Sequence, residues 1–239
     1  MLYIIGLGLN LKGMSKQGQE SLRSCKKVYL ESYTVDFPYS ISELSEELEK
    51  KIIPLDREKV ESLEIVDEAK KLDVALLVYG SPLFATTHIS LIQEAKASRV
   101  KCKVIYGASI FDALGGTGLQ LYKFGKITSM PKWDSQKSFE PDSFIKTIQE
   151  NMSMKAHSLI LVDIGLKFKD ALEQLIKAAE KHKVKFKKLI VCSRLGTKKP
   201  RVIYKDIENL EGIFVDSPYC IVIPSKLHFL EKEVLEKKS

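Results

Sequence analysis

A short stretch that follows an apolar run constrains the fold of this chain more than any other feature. The run Val74–Tyr79 has the length and composition of a buried β-strand. In the next segment, Gly80–His88, a glycine and a proline end the strand and turn the chain, and Thr86 or Thr87 can cap the following helix. A strand, a turn and a helix start of this kind place backbone N–H groups at the carboxyl edge of a sheet, where open α/β folds bind ligands.

The first half of the chain alternates apolar strands with amphipathic helices. Besides Val74–Tyr79, strands are predicted over residues 2–7, 27–31, 51–54 and 102–106. Helices are predicted over residues 15–25, 41–51, 60–71, 88–97 and 111–114. This alternation predicts a mainly parallel sheet with helices on both of its faces.

A second set of strands begins after Gly115–Gly118, the most glycine-dense segment of the chain. Flexible backbone at this point allows the chain to cross from one domain to another. The strands predicted beyond it cover residues 124–129, 157–164, 188–193, 201–204 and 219–223, and the helices cover residues 142–152, 169–181 and the C-terminal residues. We therefore expect an α/β protein with two α/β domains, residues 1–114 and 115–239.

Composition places the chain among soluble globular proteins. Of its 239 residues, 44% are hydrophobic and 29% are charged, which is enough for a core and a solvated surface. The net charge of +7 comes mostly from lysine and could attract nucleic acid, an acidic protein or a phosphorylated ligand. Because no basic block is interleaved with aromatic residues, a solvated lysine-rich surface is favoured and no nucleic-acid partner is expected.

The cysteine spacing predicts buried free thiols in a reducing compartment and no metal site. The four cysteines form no C-x-x-C pair, and each lies in or beside an apolar run. They are Cys25, Cys102, Cys192 and Cys220. The first residues lack the basic region and long apolar stretch of a signal peptide, and no run has the length of a transmembrane helix. We therefore expect a cytoplasmic protein without a membrane partner.

Three turns of small residues, each following a predicted buried strand, form the strongest candidate site. They are Gly6–Leu9, Gly80–Phe84 and Gly107–Ile110. Small residues allow the backbone to approach a ligand closely, so N–H and C=O groups can bind an adenine and an amino-acid moiety. The Gly6-x-Gly8 pair only weakly indicates a dinucleotide site, because the third glycine of that fingerprint is missing.

The other candidate motifs favour structural roles. No nucleophile elbow, Walker loop or zinc motif occurs in the sequence. None of the four histidines has an evident acid–base partner. His88 lies near the candidate site and could contact a ligand, although capping or a surface position is favoured. His228 follows a late strand and could either face a ligand or support the fold.

Six blocks of sequence, found in one order along nearly the whole chain, carry a resemblance to a known family. Two are distinctive, the A-T-T-H that follows G-x-P in Gly80–His88 and the G-L-x-x-Y-K-F-G of Thr117–Gly125. The other four are Leu2–Leu9, Ala108–Ile110, Leu161–Ile164 and Pro224–Phe229. Together they resemble the diphthine synthase family, which belongs to the tetrapyrrole-methylase-like (class III) methyltransferases.

The resemblance implies an S-adenosylmethionine-dependent N-methyltransferase with two α/β domains and the cofactor in the cleft between them. It implies a homodimer without a metal, and repeated methylation of the amino group on a modified histidine of translation elongation factor 2. This reaction is a step of diphthamide biosynthesis. The alternatives are a methyltransferase for a tetrapyrrole acceptor and a non-catalytic binding relative of the enzymes.

Carried over position by position, the resemblance implies cofactor contacts at Leu9, Ser81, Phe84, Ser109, Ile110, Val162, Leu195 and Tyr219. Ser81 stands where the family usually has aspartate, so this position has a hydroxyl but no negative charge. The non-catalytic alternative rests on that difference. The catalytic residues stay unassigned, with Asp163 as a candidate general base or a structural hydrogen-bond acceptor. Tyr122 and Lys123 could face the protein substrate or a second copy of the chain.

Overall fold

The computed structural model describes residues 1–238, without the side chain of Ser135. The chain divides into two compact units. Unit 1 consists of Met1–Asp112 together with the short segment Gly196–Lys198, and unit 2 consists of Ala113–Leu195 and the described residues from Lys199 onward. The predicted ranges, 1–114 and 115–239, are continuous, so they do not place Gly196–Lys198 with the first half of the chain.

Unit 1 is built on a five-stranded, fully parallel sheet. Its strands are β1 (Leu2–Gly6), β2 (Lys27–Glu31), β3 (Ile52–Leu55), β4 (Val74–Val78) and β5 (Cys102–Ile105). They lie in the order β3-β2-β4-β1-β5. The parallel sheet predicted for the first half is therefore confirmed, and β4 is buried at every residue, as its continuous apolar sequence predicts.

Five helices connect these strands and a sixth follows β5, and side-chain caps begin the first three of them. They are α1 (Lys16–Ser24), α2 (Ile41–Leu48), α3 (Arg57–Glu61), α4 (Glu64–Ala69), α5 (Ile89–Ala97) and α6 (Ile110–Ala113). The Ser15 hydroxyl caps α1 by accepting a hydrogen bond from the Gly18 amide. Ser40 and Glu43 form a capping box at the start of α2.

Two helix predictions in unit 1 are wrong. The single helix predicted over residues 60–71 is two helices, because Leu63 takes a left-handed conformation at φ +64° between α3 and α4. The cap predicted at Thr86 or Thr87 is also wrong. Helix α5 starts after His88, and the Thr86 hydroxyl instead donates a hydrogen bond to the Pro82 carbonyl.

Unit 2 contains a second five-stranded sheet of mixed direction. Its strands are β6 (Thr128–Met130), β7 (Ser158–Val162), β8 (Lys188–Ser193), β9 (Arg201–Asp206) and β10 (Tyr219–Ile223). They lie in the order β6-β7-β10-β8-β9, and only the β6–β7 pair is parallel. The strand predicted over residues 124–129 is shorter than expected, since Phe124 forms only an isolated bridge with His157.

Three helices accompany the second sheet, namely α7 (Ser143–Ser153), α8 (Phe168–Lys181) and α9 (Phe229–Glu236). Phe144, Ile145 and Ile148 of α7 are fully buried in the core that this sheet shares with α8. Asp142 occupies the cap position of α7, but its side chain does not cap the helix. It pairs instead with Lys181 and His182 at the end of α8.

The four cysteines are all free thiols, as the spacing predicts. Cys25, Cys192 and Cys220 are buried, and Cys102 is half-buried. Across residues 1–238, no helix combines the length and the apolar character that a bilayer crossing requires.

Truncating the core of unit 2 tests its packing. Phe144→Ala removes a fully buried ring, so we expect the free energy of unfolding to fall by about 3–5 kcal/mol. The matched control is Phe214→Ala, because this ring is 74% exposed and its loss should change stability by no more than about 0.5 kcal/mol. Urea unfolding followed by circular dichroism measures both. Equal losses in the two variants would contradict the assigned core.

Candidate functional site

The three predicted turns meet at the carboxyl edge of the first sheet. Strand β1 lies between β4 and β5, so the turns that follow these three strands are neighbours. Gly8 and Gly80 form an isolated antiparallel bridge. The Gly8 amide donates to the Gly80 carbonyl at 3.2 Å, and the Gly80 amide donates to the Gly8 carbonyl at 2.9 Å. The first two turns are thus joined directly through their backbones.

Glycine is required where the third turn packs against the other two. A Cβ atom on Gly6 would lie 2.6 Å from both the Gly107 nitrogen and the Gly80 carbonyl oxygen. A Cβ atom on Gly107 would lie 2.7 Å from the same oxygen. Gly80 also has φ at +74°, a conformation that L-residues rarely adopt. Close backbone approach of Gly6 and Gly107 therefore brings the three turns together, and a side chain at either of these two positions would separate them.

The polar groups left available at this edge are uncharged. Among the residues that the structure describes, none accepts a hydrogen bond from the backbone amides of Leu9 and Ser81, and none bonds to the Ser81 hydroxyl. In contrast, the Ser109 amide and hydroxyl both donate to the Asp112 carboxylate, at 2.6 and 2.8 Å. These bonds hold the pKa of Asp112 below its ordinary value. Ser109 keeps only acceptor oxygens for a ligand.

An aromatic cluster supports the first turn from within unit 1. The Tyr79 hydroxyl donates a hydrogen bond to the Leu9 carbonyl at 2.9 Å. The Tyr79 ring contacts Phe37 and Tyr39 with centroid separations of 5.4 and 6.3 Å. Burial raises the pKa of Tyr79, so its hydroxyl keeps its proton and remains a donor. Tyr79, which directly follows β4, therefore helps to hold Leu9 in position.

The remaining predicted residues of unit 1 lie on the same edge. Phe84 stacks on Phe111 with a centroid separation of 6.2 Å and an angle of 27° between the rings. Ile110 is the first residue of α6 and is partly exposed. Leu9, Ser81, Phe84, Ser109 and Ile110 are therefore all on or beside the three turns that meet.

The other three predicted residues lie at one edge of the second sheet. Val162 ends β7 and Tyr219 begins β10, and these strands are antiparallel neighbours. Tyr219 is also paired with Ser193 of β8, two residues before Leu195. The Tyr219 hydroxyl donates to the Leu166 carbonyl at 2.8 Å, and Leu195 is buried. These three residues are grouped within unit 2.

Two of the six sequence blocks, Thr117–Gly125 and Pro224–Phe229, converge on a buried carboxylate that sequence reasoning missed. Glu231 is fully buried and accepts hydrogen bonds from the Gln120 amide at 2.9 Å and the His228 amide at 2.6 Å. The Lys123 ammonium forms an ion pair with it and also donates to the Lys226 carbonyl. The Lys123 charge is therefore used inside unit 2, contrary to the expectation that it could face a partner.

His157 completes this cluster, and its tautomer follows from its partners. The Ser225 amide donates to Nδ1 at 2.9 Å, so Nδ1 carries no proton. Nε2 therefore carries the proton and donates to Glu231 at 3.2 Å. Burial lowers the pKa of His157 and outweighs the opposing effect of the carboxylate. Burial raises the pKa of Glu231, but bonds from Lys123 and the other donors prevail and lower it to about 2.

The expectation that no histidine has an acid–base partner is wrong at two positions. His157 pairs with Glu231, and His182 Nε2 lies 2.9 Å from Asp142. His228 has the structural role that was left open, since its Nδ1 accepts from the Leu230 amide at the start of α9. The partners are far apart in sequence, and only the spacing of His228 and Glu231 as a capping box could have indicated this cluster.

Two further candidates take structural positions. The Asp163 carboxylate accepts hydrogen bonds from the Lys132 and Ile164 amides, both at 3.0 Å, which is the structural role considered for it. His88 is 1% exposed, so neither a surface position nor a side-chain cap describes it. Tyr122 is 82% exposed. No group of three or more potential metal-ligating side chains occurs within the part of the chain that the structure describes.

Comparison with known proteins gives one consistent result. The sequence profile of the family described as Tetrapyrrole (Corrin/Porphyrin) Methylases matches residues 1–211. The "Diphthine synthase" of Methanocaldococcus jannaschii is 36% identical over 253 residues, covering 99% of this chain and 98% of the relative. The "Diphthine methyl ester synthase" of Schizosaccharomyces pombe is 41% identical over 170 residues, covering 70% of this chain and 59% of the relative. A solved structure of a diphthine synthase superposes with a TM-score of 0.88 at 34% identity, covering 100% of this chain and 95% of that one.

Substitution of Gly6 tests the packing of the three turns. Gly6→Ala places a methyl group against two backbone atoms, so we expect unfolding free energy to fall by about 1–3 kcal/mol or more. Gly115→Ala is the matched control, because nothing lies within 4 Å of its added methyl group and its stability should stay within about 1 kcal/mol. Urea unfolding measures both, and a neutral Gly6→Ala would contradict the close approach.

The charge of Glu231 predicts a dependence of stability on pH. Its pKa is about 2 in the folded protein against an ordinary value of 4.5, so its contribution is full above about pH 5 and is lost as the pH falls. Between about pH 6 and pH 3 we expect it to account for roughly 1–2 kcal/mol of lost stability. Glu231→Gln should be less stable at neutral pH, because Lys123 is left unpaired, but should lose less on acidification.

The exposed Glu233 on the same helix provides the control for this measurement. Its side chain is 60% exposed and, among the residues that the structure describes, pairs with Lys237 alone, so Glu233→Gln should keep the pH dependence of the unmodified protein. Urea unfolding at the two pH values measures the difference. The assignment of Glu231 is wrong if Glu231→Gln and Glu233→Gln respond to acid alike.

Proposed function

The chain belongs to the diphthine synthase family of S-adenosylmethionine-dependent methyltransferases, and we propose that it repeatedly methylates the amino group of the modified histidine of translation elongation factor 2. The relatives' names supply the reaction class, and this chain's own geometry supports a donor site. The three backbone-joined turns at Gly6, Gly80 and Gly107 are the observation that carries the proposal.

The groups at this edge fit an adenosyl and amino-acid ligand. Unused N–H groups at Leu9 and Ser81 can donate to adenine nitrogens or to a carboxylate. The Ser81 hydroxyl and the Ser109 oxygens can accept from ribose hydroxyls or from the ligand's ammonium group. Phe84, stacked on Phe111, presents an aromatic surface that suits a purine or a methylated cation. This chemistry requires no charged side chain at Ser81.

The proposed donor-binding set keeps all eight residues predicted from the resemblance. The five of unit 1 are supported by their common position at the meeting turns. Val162, Leu195 and Tyr219 are supported by the resemblance and by their common edge in the second sheet. No metal is included, because the sulfonium donor is already activated toward displacement.

S-adenosylmethionine supplies a methyl group whose bond to sulfur breaks as a new carbon–nitrogen bond forms, with the electron pair leaving on sulfur. The protein's part is to fix the orientation of the amine and to exclude water, which is catalysis by proximity. The amine must first lose a proton, and a desolvated site lowers its pKa. Asp112 is the one carboxylate in the three turns and α6, and it is bonded to Ser109. The proton therefore goes to solvent rather than to a side chain of these turns.

The proposal includes the setting of the reaction. Its protein substrate is the elongation factor, which acts in translation, so we place the enzyme in the cytoplasm. A homodimer is part of the proposal on the strength of the resemblance alone. Neither a membrane nor a nucleic acid is a partner in it.

Mass spectrometry of elongation factor 2 tests the function directly. The factor carrying the unmethylated precursor is incubated with the protein and S-adenosylmethionine, and we expect successive additions of the mass of one methyl group on the modified histidine peptide. Gly6→Ala should abolish most of this activity, and Gly115→Ala should retain it. Transfer to a porphyrin precursor without transfer to the factor would support the tetrapyrrole alternative. Binding of the donor without transfer to either would support the non-catalytic one.

A second product has support from the names of two relatives. The Schizosaccharomyces pombe relative is named diphthine methyl ester synthase and an Arabidopsis thaliana relative probable diphthine methyl ester synthase, and a methyl ester forms on a carboxylate. An ester and an N-methyl group differ in chemistry, because base hydrolyses only the ester. If the last added methyl group is lost after alkaline treatment of the peptide, the product includes an ester. If every added group survives, methylation is confined to nitrogen.

A further inference from the structure

Two side chains of the A-T-T-H segment converge on one backbone carbonyl. The Pro82 oxygen accepts a hydrogen bond from the Thr86 hydroxyl at 2.8 Å and lies 2.9 Å from His88 Nδ1. A carbonyl oxygen can only accept, so Nδ1 of His88 carries the proton and donates it. This arrangement fixes the tautomer of His88 without reference to any ligand.

The bond to Pro82 uses only one of the two ring nitrogens of His88. His88 is 1% exposed, and among the described residues Nε2 has no hydrogen-bond partner. Burial of an unsatisfied ring nitrogen is unfavourable. A smaller apolar residue would avoid that cost, so the position is accounted for by the bond from Nδ1 to Pro82.

The loop between these residues needs to be held. Ala85 has φ at +54°, in the left-handed region that residues with a Cβ atom rarely occupy. Such a conformation persists where surrounding contacts enforce it. The Pro82 ring also packs against Gly6, where an added Cβ would lie 3.0 Å from the proline Cδ. Pro82 is therefore held by two donors to its carbonyl and by contact of its ring with the end of β1.

We infer that Thr86 and His88 are positioning residues that clamp the Pro82 carbonyl and thereby hold the Ser81–Phe84 loop in the shape that binds the methyl donor. Neither residue needs to contact the donor for this role. The inference deepens the proposed function, since Ser81 and Phe84 belong to the proposed donor-binding set. The clamp itself is a property of the unliganded protein and can be measured without a ligand.

The decisive variants exchange the position of the donor nitrogen. The amide nitrogen of Asn is the same number of bonds from Cα as His Nδ1, and that of Gln corresponds to Nε2. His88→Asn should retain most of the clamp, whereas His88→Gln should lose it. Likewise, Thr86→Ser keeps the hydroxyl and Thr86→Val removes it. Thr87→Val is the matched control, because the exposed Thr87 side chain forms no hydrogen bond with any described residue.

Amide hydrogen exchange of the ligand-free protein is the first measurement. We expect the Phe84 amide, which donates to the Ser81 carbonyl at 3.2 Å within this loop, to exchange about tenfold faster in His88→Gln and Thr86→Val, as loss of one hydrogen bond predicts. His88→Asn, Thr86→Ser and Thr87→Val should stay near the unmodified protein. Unchanged exchange in His88→Gln would overturn the clamp, and so would equal acceleration in His88→Asn.

Calorimetric titration with S-adenosylhomocysteine is the second measurement. The Kd should rise about tenfold in the two clamp-deficient variants and return toward the original in His88→Asn. Leu91→Ala, a core truncation in α5, controls for a general loss of stability and should leave Kd within about twofold. If Leu91→Ala weakens binding as much as His88→Gln, the role of His88 is merely structural. If the unmodified protein binds no S-adenosylhomocysteine, the proposed function fails, while the exchange experiment still decides the clamp.

Discussion

The candidate site depends on direct contact between the backbones of three turns. Gly6 and Gly107 leave no room for a side chain where the turns meet, Gly80 adopts a positive φ, and paired hydrogen bonds between Gly8 and Gly80 hold two of the turns together. Because the packing uses backbone atoms, the remaining amides and hydroxyls at the edge are available to a ligand. A parallel sheet makes this possible by bringing the carboxyl ends of neighbouring strands to one edge.

The supports of these turns come from side chains behind them. Tyr79 bonds to the Leu9 carbonyl, Asp112 orders Ser109, and Thr86 with His88 holds Pro82. A site of this kind is preorganised by residues that need not contact the ligand, which is how rigid positioning is obtained from loops.

In unit 2, side chains and backbone amides also hold one another through hydrogen bonds, here around a buried carboxylate. The carboxylate of Glu231 accepts hydrogen bonds from the Gln120 and His228 amides, the Lys123 ammonium and the His157 ring. A buried charge is tolerated there because every oxygen is hydrogen-bonded to several donors. The sequence blocks around Lys123 and His228 are thereby explained as the two sides of one structural cluster.

The sequence predicted the strands of the first sheet well, because continuous apolar runs bounded by glycine and proline have few other interpretations. It also predicted that the three turns would lie together, since that follows from parallel strand order. Strand direction in unit 2 could not be predicted, because an apolar run reads alike in parallel and antiparallel sheets.

Side-chain partners that lie far apart in the sequence could not be predicted either. Glu231 lies 74 residues from His157 and 111 from Gln120, and no local pattern links them. His88 bonds to the carbonyl of Pro82, six residues earlier, and the turn itself sets the orientation of that carbonyl. Leu63 interrupts a helical pattern through its backbone conformation, to which periodicity is insensitive.

The central claim is that the three meeting turns bind the methyl donor, and backbone amide NMR tests it most directly. A ¹⁵N-labelled sample is titrated with S-adenosylhomocysteine, and the amide shifts are followed residue by residue. If the donor binds at the three turns, the largest amide shift changes within unit 1 fall in Gly6–Leu9, Gly80–Phe84 and Gly107–Ile110. Saturable binding that leaves these three turns unperturbed would contradict it.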